Sequence, residues 1–369
     1  MFLLALPAWG QSVPSKTEVL DIMKKVADWQ IEHFEKETRY GELNWVNGAL
    51  YMGMADWAEL ASRTLKTDRY YDWLKNIGER NTWHVGKRTY HADDIAVGQA
   101  YIDLGRHYGD AGPMSYVKGR ADYVLAHPSQ GSFDLNYGKP KTLERWTWCD
   151  ALFMAPPVYA KLYRETGDRK YLDFMDDEFH ATYDTLYDRQ AHLFFRDARY
   201  FNKRESNGEK VFWGRGNGWV MGGLAELLKE LPAGQFKKAG RKFKNARSFY
   251  ETLFAEMAAS LAACQSADGY WRASLLDPAS YPSPETSATG FITYALAYGI
   301  NAKLLDKKTY LPVVEKGWNA LTKAVETDGK LGYVQPVGAD PQQVSRDKTA
   351  PYGVGAFLAA GCEIYKLTR

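Results

Sequence analysis

The chain has 369 residues, enough for two average domains or for one large barrel. Its 47 basic and 45 acidic residues are mixed along the sequence, without a basic block of the kind that follows a phosphate backbone. Nucleic acid is therefore not the expected partner, and no run of about 20 apolar residues predicts a membrane span.

The three cysteines, Cys149, Cys264 and Cys362, are far apart in the sequence. They form neither a Cys-x-x-Cys pair nor the Cys/His spacing of a zinc site, and we expect no metal and no organic cofactor. The 12 Trp, 25 Tyr and 16 Phe residues suit either a packed core or the faces of sugar rings, and composition does not choose between them.

The N-terminus resembles the end of a secretory leader. Residues 1–8 are mostly apolar, and small residues follow before residue 12. This pattern is typical of a signal peptide near its cleavage point. We therefore expect a periplasmic or secreted protein whose single folded domain spans residues 13–369. A cytosolic protein with an apolar start is the alternative.

Apolar residues recur at three- and four-residue spacing through most of the chain, which predicts helices. The predicted helices are residues 17–36, 46–65, 93–108, 115–126, 155–166, 170–186, 217–230, 244–264, 287–304, 309–326 and 353–367. No long run alternates with period two, so strands are expected to be short and to lie beside glycine-containing turns.

One connection recurs along the chain. Residues 66–74 resemble residues 165–174 and, more loosely, residues 305–311. In each copy a helix ends, a Thr or Asp begins the next helix, and a buried Tyr is expected in its first turn. Repeated helical hairpins build either an open solenoid or a closed ring. Long connections rich in Gly and Trp alternate with these short ones, which favours a closed ring with a cup of loops at one end.

Asp150 is the first candidate for chemistry. It lies between Trp148 and Phe153, shortly before a Pro pair that suits the first turn of a helix. A carboxyl among aromatic side chains is partly desolvated, which favours its protonated form and suits a proton donor near neutral pH. The alternative is a helix N-cap with no other role.

Asp93 is the second candidate. Asp93 and Asp94 open a predicted helix, so that one acid can cap the helix while Asp93 faces the cup. Two solvated acids favoured by the helix dipole are the alternative. Asp93 and Asp150 also suit the carboxylate pair of a conventional glycosidase, which is about 5 Å apart in retaining enzymes and roughly 6.5–9.5 Å apart in inverting ones.

Residues 213–219, Trp-Gly-Arg-Gly-Asn-Gly-Trp, form the most specific local pattern. The three glycines predict a sharply turning loop that approaches a ligand closely. The fork of Arg215 suits a carboxylate, and Trp213 and Trp219 suit a sugar face. The alternative is a structural loop whose Arg binds main-chain carbonyls.

The chain resembles the unsaturated rhamnogalacturonyl hydrolases of glycoside hydrolase family 105, relatives of the unsaturated glucuronyl hydrolases. The resemblance extends from about residue 20 to the end and is carried by residues 148–157, residues 213–219 and Ala92-Asp93-Asp94-Ile95, with support from Glu285-Thr286-Ser287-Ala288. It implies an all-α (α/α)6 barrel and a bacterial enzyme of polysaccharide degradation.

The resemblance also implies an unusual reaction on anionic oligosaccharides whose terminal uronic acid carries a C4=C5 double bond left by a lyase. Asp150 would protonate C4, and positive charge would develop at C5 and the ring oxygen. Water would then add at C5 while returning a proton to Asp150. The resulting hemiketal rearranges, and the glycosidic bond breaks without attack at the anomeric carbon.

The resemblance assigns Asp93 as the second acid, Arg215 as the anchor of the uronate carboxylate, and Asn217 as a partner of a hydroxyl or of the loop. The other expected substrate contacts are His91, Trp45, Trp148, Trp213, Trp219 and Met154. One position departs from the rhamnogalacturonyl members, because Arg196 stands where they carry a His. A cation there predicts contact with a charged leaving sugar, such as a sulfated one.

Three other interpretations stay open at this point. A conventional glycosidase would use the Asp93/Asp150 pair on saturated substrates. A non-catalytic binding protein would capture anionic glycans through Arg215 and the tryptophans. A polysaccharide lyase on a similar barrel would create the double bond rather than consume it.

Overall fold

The computed structural model describes residues 14–37, 40–231 and 246–368. The expected leader, residues 1–12, lies outside these ranges. Long helices alternate between an inner and an outer layer. The inner helices are α2 (Trp45–Leu65), α4 (Gly98–Tyr108), α7 (Pro156–Thr166), α9 (Gly214–Glu230), α11 (Thr286–Asn301) and α13 (Pro351–Leu367). The outer helices are α1 (Lys16–Glu37), α3 (Arg69–Arg80), α5 (Gly112–Ala126), α8 (Lys170–Leu186), α10 (Ala246–Ala263) and α12 (Lys307–Lys323).

The inner helices form a closed ring. Packing runs from α2 to α4, α7, α9, α11 and α13, and α13 packs back on α2. Burial follows this arrangement, because α11 is buried from Thr286 to Ile300 whereas the outer helix α3 buries only one face. The predicted (α/α)6 barrel is confirmed, and the open solenoid is not.

The recurring connection explains how outer helices are tied together. Tyr70, in the first turn of α3, donates its hydroxyl proton to Asp28 Oδ1 of α1 at 2.9 Å. Tyr171, at the equivalent place in α8, donates to Asp122 Oδ1 of α5 at 2.6 Å. The Tyr of the repeat therefore joins each of these outer helices to the preceding one.

The helix predictions need two corrections in this part of the chain. Helix α3 was missing from the predicted set, although its buried residues recur at helical spacing on one face of the helix: Tyr70, Tyr71, Leu74, Ile77 and Gly78. The predicted helix over residues 93–108 is divided into a 3-10 turn, Ala92–Ile95, and α4, which begins at Gly98. The turn matters because it carries Asp93.

Short elements position the loops of the cup. Helix α6 (Ala151–Met154) precedes α7, and the regular strands of the described residues are β1 (Tyr187–Asp188) and β2 (Leu193–Phe194). They pair antiparallel, with Tyr187 opposite Phe194. Short strands were predicted, although no glycine lies in the turn between them.

The C-terminal halves of the inner helices enclose a cavity of about 670 Å³ at the other end of the barrel. Its charged side chains pair with each other: Lys161 Nζ lies 2.7 Å from Asp103 Oδ1, and Arg106 Nη1 lies 2.8 Å from Glu230 Oε1. Buried charges need such partners, so this network closes the barrel. The loops and inner-helix N-termini at the opposite end hold the candidate site.

No helix within the described ranges is both long and apolar enough to cross a bilayer.

Candidate active site

Asp150 occupies the N-cap position of α6, but its side chain makes no cap hydrogen bond. The residue is 8 % exposed, and its Oδ1 accepts a hydrogen bond from Cys149 Sγ at 3.2 Å. Burial raises the pKa of Asp150, against the opposing effects of Arg196, the Cys149 bond and Arg215. Asp150 is therefore a buried carboxyl whose side chain does not cap the helix.

Asp93 lies in the 3-10 turn, next to Asp94, whose carboxylate has a structural role. Asp94 accepts hydrogen bonds from the Arg88 side chain at 2.5 and 3.0 Å and from the Arg88 main-chain N–H at 2.7 Å, and so holds the preceding turn. Burial raises the pKa of Asp93 to about 7, Arg88 and Arg196 oppose this shift, and the charges of Asp150 and Asp94 add to it. Asp93 and Asp150 are therefore close enough to interact electrostatically.

His91 caps the same turn, because its Nδ1 accepts a hydrogen bond from the main-chain N–H of Asp93 at 3.3 Å. Its ring centroid lies 4.8 Å from that of Trp148. Burial lowers the pKa of His91 to about 4, with a further lowering by Arg88. The imidazole is therefore neutral at neutral pH, and with Nδ1 as acceptor its Nε2–H is the donor.

Arg196 follows β2, and main-chain contacts fix its position. Its carbonyl accepts a hydrogen bond from Cys149 N at 2.9 Å. Asn217 of α9 holds the strand residue Phe194, accepting from its N–H at 2.8 Å and donating to its carbonyl at 3.1 Å. Residues 149, 196 and 217 thus bring the cation beside Asp150.

The Arg196 side chain is 9 % exposed and only partly satisfied. Its Nη1 donates to Asp197 Oδ2 at 2.7 Å and to the Tyr137 hydroxyl at 2.9 Å. Its buried Nε has no hydrogen-bond partner in the part of the chain that the structure describes. Among the charged groups around Asp150, Arg196 lowers its pKa most.

The glycine-rich loop predicted for residues 213–219 is wrong, because α9 begins at Gly214. None of these glycines has a positive φ. They permit close packing instead: a Cβ on Gly214 would lie 2.3 Å from the Arg272 carbonyl, and a Cβ on Gly216 would lie 3.1 Å from Cys149 Sγ. The glycines of residues 213–219 therefore let the inner helix α9 pack closely against neighbouring segments.

Arg215 is fully buried between the rings of Trp213 and Tyr352. Its Nη1 donates to the Gln335 carbonyl at 2.6 Å and its Nη2 to the Pro336 carbonyl at 2.9 Å. These hydrogen bonds agree with the alternative interpretation, in which Arg215 has a structural role and binds main-chain carbonyls. Binding of the uronate carboxylate by Arg215 stays a prediction, while its charge contributes to the electrostatics of Asp150.

Several expected substrate contacts lie below the surface of the site. Trp213, Trp219 and Met154 are at most 1 % exposed, which corrects the expectation that they contact the substrate. Trp219 packs in the core against Trp45 and Phe153. Trp148 is 4 % exposed beside His91, whereas Trp45 is half-buried and stacks on Tyr352. Asn217 hydrogen-bonds the main chain of Phe194 in β2.

Sequence reasoning missed two residues of the site. Tyr137 is 53 % exposed, holds Arg196 through its hydroxyl, and has the Arg199 guanidinium 4.4 Å from its ring centroid. It lies in the connection over residues 131–140, where no residue pattern indicates a contact with substrate. Cys149 lies within residues 148–157, but its hydrogen bond to Asp150 was not predicted, because no sequence pattern indicates a thiol hydrogen bond.

Asp93→Asn is expected to stabilise the protein in a pH-dependent way. The unfolded chain ionises this carboxyl near pH 4, whereas the folded chain does so at about 7, so the wild type loses stability as pH rises across that window. Thermal unfolding should show a Tm at least about 2 °C higher for the variant at pH 8, with no gain at pH 4. A lower Tm at pH 8 would show that the ionised carboxylate is stabilising.

The fold and the site together define a class of protein. An all-α barrel presents two buried carboxyls with raised pKa values, a neutral His and a cation in one cup. This arrangement suits acid–base chemistry on an anionic saccharide.

The comparisons with known proteins agree with this class. The sequence profile of Glycosyl Hydrolase Family 88 matches residues 22–368, and the chain therefore belongs to this family. A curated "Unsaturated 3S-rhamnoglycuronyl hydrolase" of Formosa agariphila is 37 % identical, over 99 % of this chain and 95 % of the relative. The predicted resemblance and the predicted enzyme class, an unsaturated uronyl hydrolase, are both confirmed.

Two solved structures share the whole fold. A family 88 glycosyl hydrolase from Bacteroides vulgatus has a TM-score of 0.82 and 32 % identity, over 96 % of this chain and 99 % of its own. A protein described as a polysaccharide lyase has a TM-score of 0.81 and 34 % identity, over 95 % of this chain and 98 % of its own.

Proposed function

We propose that this bacterial enzyme removes a Δ4,5-unsaturated uronic acid from the non-reducing end of a rhamnoglycuronyl oligosaccharide by hydrating the C4=C5 bond. The observation that carries the proposal is the pair of buried acids, Asp93 and Asp150, whose pKa values are both raised. The relative from Formosa agariphila, by its name, supports the substrate class.

Asp150 is the proton donor in this proposal. Its protonated carboxyl delivers a proton to C4, and the electron pair of the double bond forms the new C4–H bond. Water then adds at C5, and its released proton goes to the Asp150 carboxylate. Burial suits both steps, because it raises the pKa of Asp150, which favours the protonated carboxyl before the transfer and makes the carboxylate more basic afterwards.

Asp93 limits the negative charge of the site. Burial raises the pKa of Asp93 to about 7 and the charge of Asp150 adds to this shift, which favours a protonated Asp93 while Asp150 is ionised. A protonated Asp93 and the Nε2–H of neutral His91 are then hydrogen-bond donors for the sugar hydroxyls. Neither has to change its ionisation state during the reaction.

Arg196 contacts the sugar next to the uronic acid. Its guanidinium lies beside Tyr137, where its positive charge attracts an anionic substituent such as a sulfate. Tyr137, which is half-exposed, is the aromatic surface for the same sugar. The enzyme would act in the periplasm or outside the cell, as the pattern of residues 1–12 suggests.

Ultraviolet absorbance of the conjugated C4=C5 bond tests the proposal. Oligosaccharides released by lyases from ulvan-type, pectic and glycosaminoglycan polymers should lose absorbance with the enzyme, the rhamnoglycuronyl ones fastest. Saturated polymers serve as the matched control and should show no change. A gain of absorbance on polymer would identify a lyase, the function of one similar structure. Release of sugar from saturated glycosides alone would identify a conventional glycosidase.

A further inference from the structure

A surface groove runs between α5 and residues 82–90, outside the site described above. Two adjoining cavities of about 640 and 520 Å³ form it and share Thr82, Tyr116 and Arg120 as lining. Gly86 and Lys87 also line it. The segment over residues 82–90 continues directly to His91 and Asp93 of the candidate site.

The groove is basic. Its charged lining consists of Arg80, Lys87 and Arg120, and no carboxylate of the described residues lines either cavity. Among these residues no acid lies within ion-pair distance of Lys87 or Arg120, whereas Arg80 pairs with Glu42. Within the part of the chain that the structure describes, the hydrogen bonds of the Arg120 guanidinium go to the carbonyls of Gly86 at 3.0 Å and Arg88 at 3.3 Å, so no carboxylate compensates its charge.

Two tyrosines of α5 give the groove aromatic surfaces. Tyr116 is 37 % exposed and Tyr123 is 50 % exposed. They are seven residues apart and therefore on one face of the helix, about 10 Å apart along its axis. The His84 ring lies beside Tyr116, with 4.1 Å between the centroids. Cations alternating with aromatic faces suit a chain of anionic sugars.

Gly119 lies on the same helix between the two tyrosines. Its φ is not positive, and a Cβ built on it would meet nothing within 4 Å. Every other glycine in the described ranges has a positive φ or a neighbour within that distance. Glycine inside a helix is less stable than alanine, because its backbone loses more conformational entropy on folding. The fold does not require this glycine, and its effect is to leave the floor of the groove open.

We propose that the groove of α5 and residues 82–90 binds a stretch of anionic polysaccharide, separately from the oligosaccharide end held in the cup. The uncompensated cations recognise its carboxylates or sulfates, and Tyr116 and Tyr123 stack on its rings. Such binding would keep an enzyme that acts on chain ends close to the polymer from which lyases release those ends.

The test measures binding of intact, saturated polymer, which offers no C4=C5 end to the active site, by titration calorimetry at low salt. Gly119→Glu places bulk and negative charge on the groove floor, and Tyr123→Ala removes a stacking surface. We expect each to weaken polymer binding at least tenfold. Gly119→Ala, the matched control, should bind like wild type and unfold at the same or a higher temperature.

Turnover of a short unsaturated disaccharide in the same variants separates the groove from the cup. It should stay unchanged in all three, because none of them touches Asp93 or Asp150. Equal polymer binding by wild type, Gly119→Glu and Tyr123→Ala would overturn the proposal, as would a complete lack of polymer binding. Both results are independent of whether the hydration reaction proposed above occurs.

Discussion

Asp150→Asn is expected to lower kcat for the loss of C4=C5 absorbance by about 10³-fold, the typical contribution of a positioned general acid. The amide keeps the shape of the carboxyl and can still accept the Cys149 hydrogen bond at its oxygen. It cannot give a proton to C4 or take one from water. KM should change little, because the substrate contacts assigned to Arg196 and His91 remain.

Two variants control this measurement. Asp184→Asn changes an acid of α8 whose side chain is 65 % exposed, and it should leave kcat unchanged. Asp93→Asn tests the other acid of the pair, whose pKa of about 7 also permits proton donation. If Asp150→Asn keeps activity within tenfold of wild type while Asp93→Asn loses it, the donor is Asp93 and the assignment is wrong.

Arg196→Ala is expected to lower kcat/KM by about 10- to 100-fold on an oligosaccharide whose leaving sugar is sulfated. Hydrogen bonds to charged groups contribute about 1.5–3 kcal/mol, which corresponds to this range. On the desulfated form of the same oligosaccharide, Arg196→Ala should lower kcat/KM by less than threefold. Steady-state kinetics on the matched pair of substrates gives both values.

The fold should tolerate this change. Asp197 is fully buried, but it keeps the Nε and Nη2 groups of Arg199 at 2.8 Å and is therefore not left without a cation. Arg196→Lys retains the charge without the planar fork and should lie between wild type and Arg196→Ala. Equal losses on the two substrates would mean that Arg196 binds the uronic acid common to both, or supports the site only structurally.

The ring of helical hairpins was predictable because it depends on local patterns. Apolar residues at helical spacing define the inner and outer helices, and the repeated Tyr connection marks where outer helices begin. The positions of Asp93 and Asp150 near helix starts followed from the same patterns. Helix α3 is absent from the predicted helices although its apolar residues recur at helical spacing, and the repeat indicated where it starts.

The sequence by itself determined the barrel, the enzyme class and the segments that form the cup. Only the tertiary structure decided which side chains of those segments face a ligand. Arg215 binds carbonyls 120 and 121 positions away, and Trp219 packs in a core shared with Trp45 and Phe153. A residue pattern shows that an Arg or a Trp suits a sugar acid, but its partner is fixed by contacts between distant parts of the chain. For this reason Arg215 was expected in the cup and is buried, whereas Tyr137 was overlooked and lies at its surface.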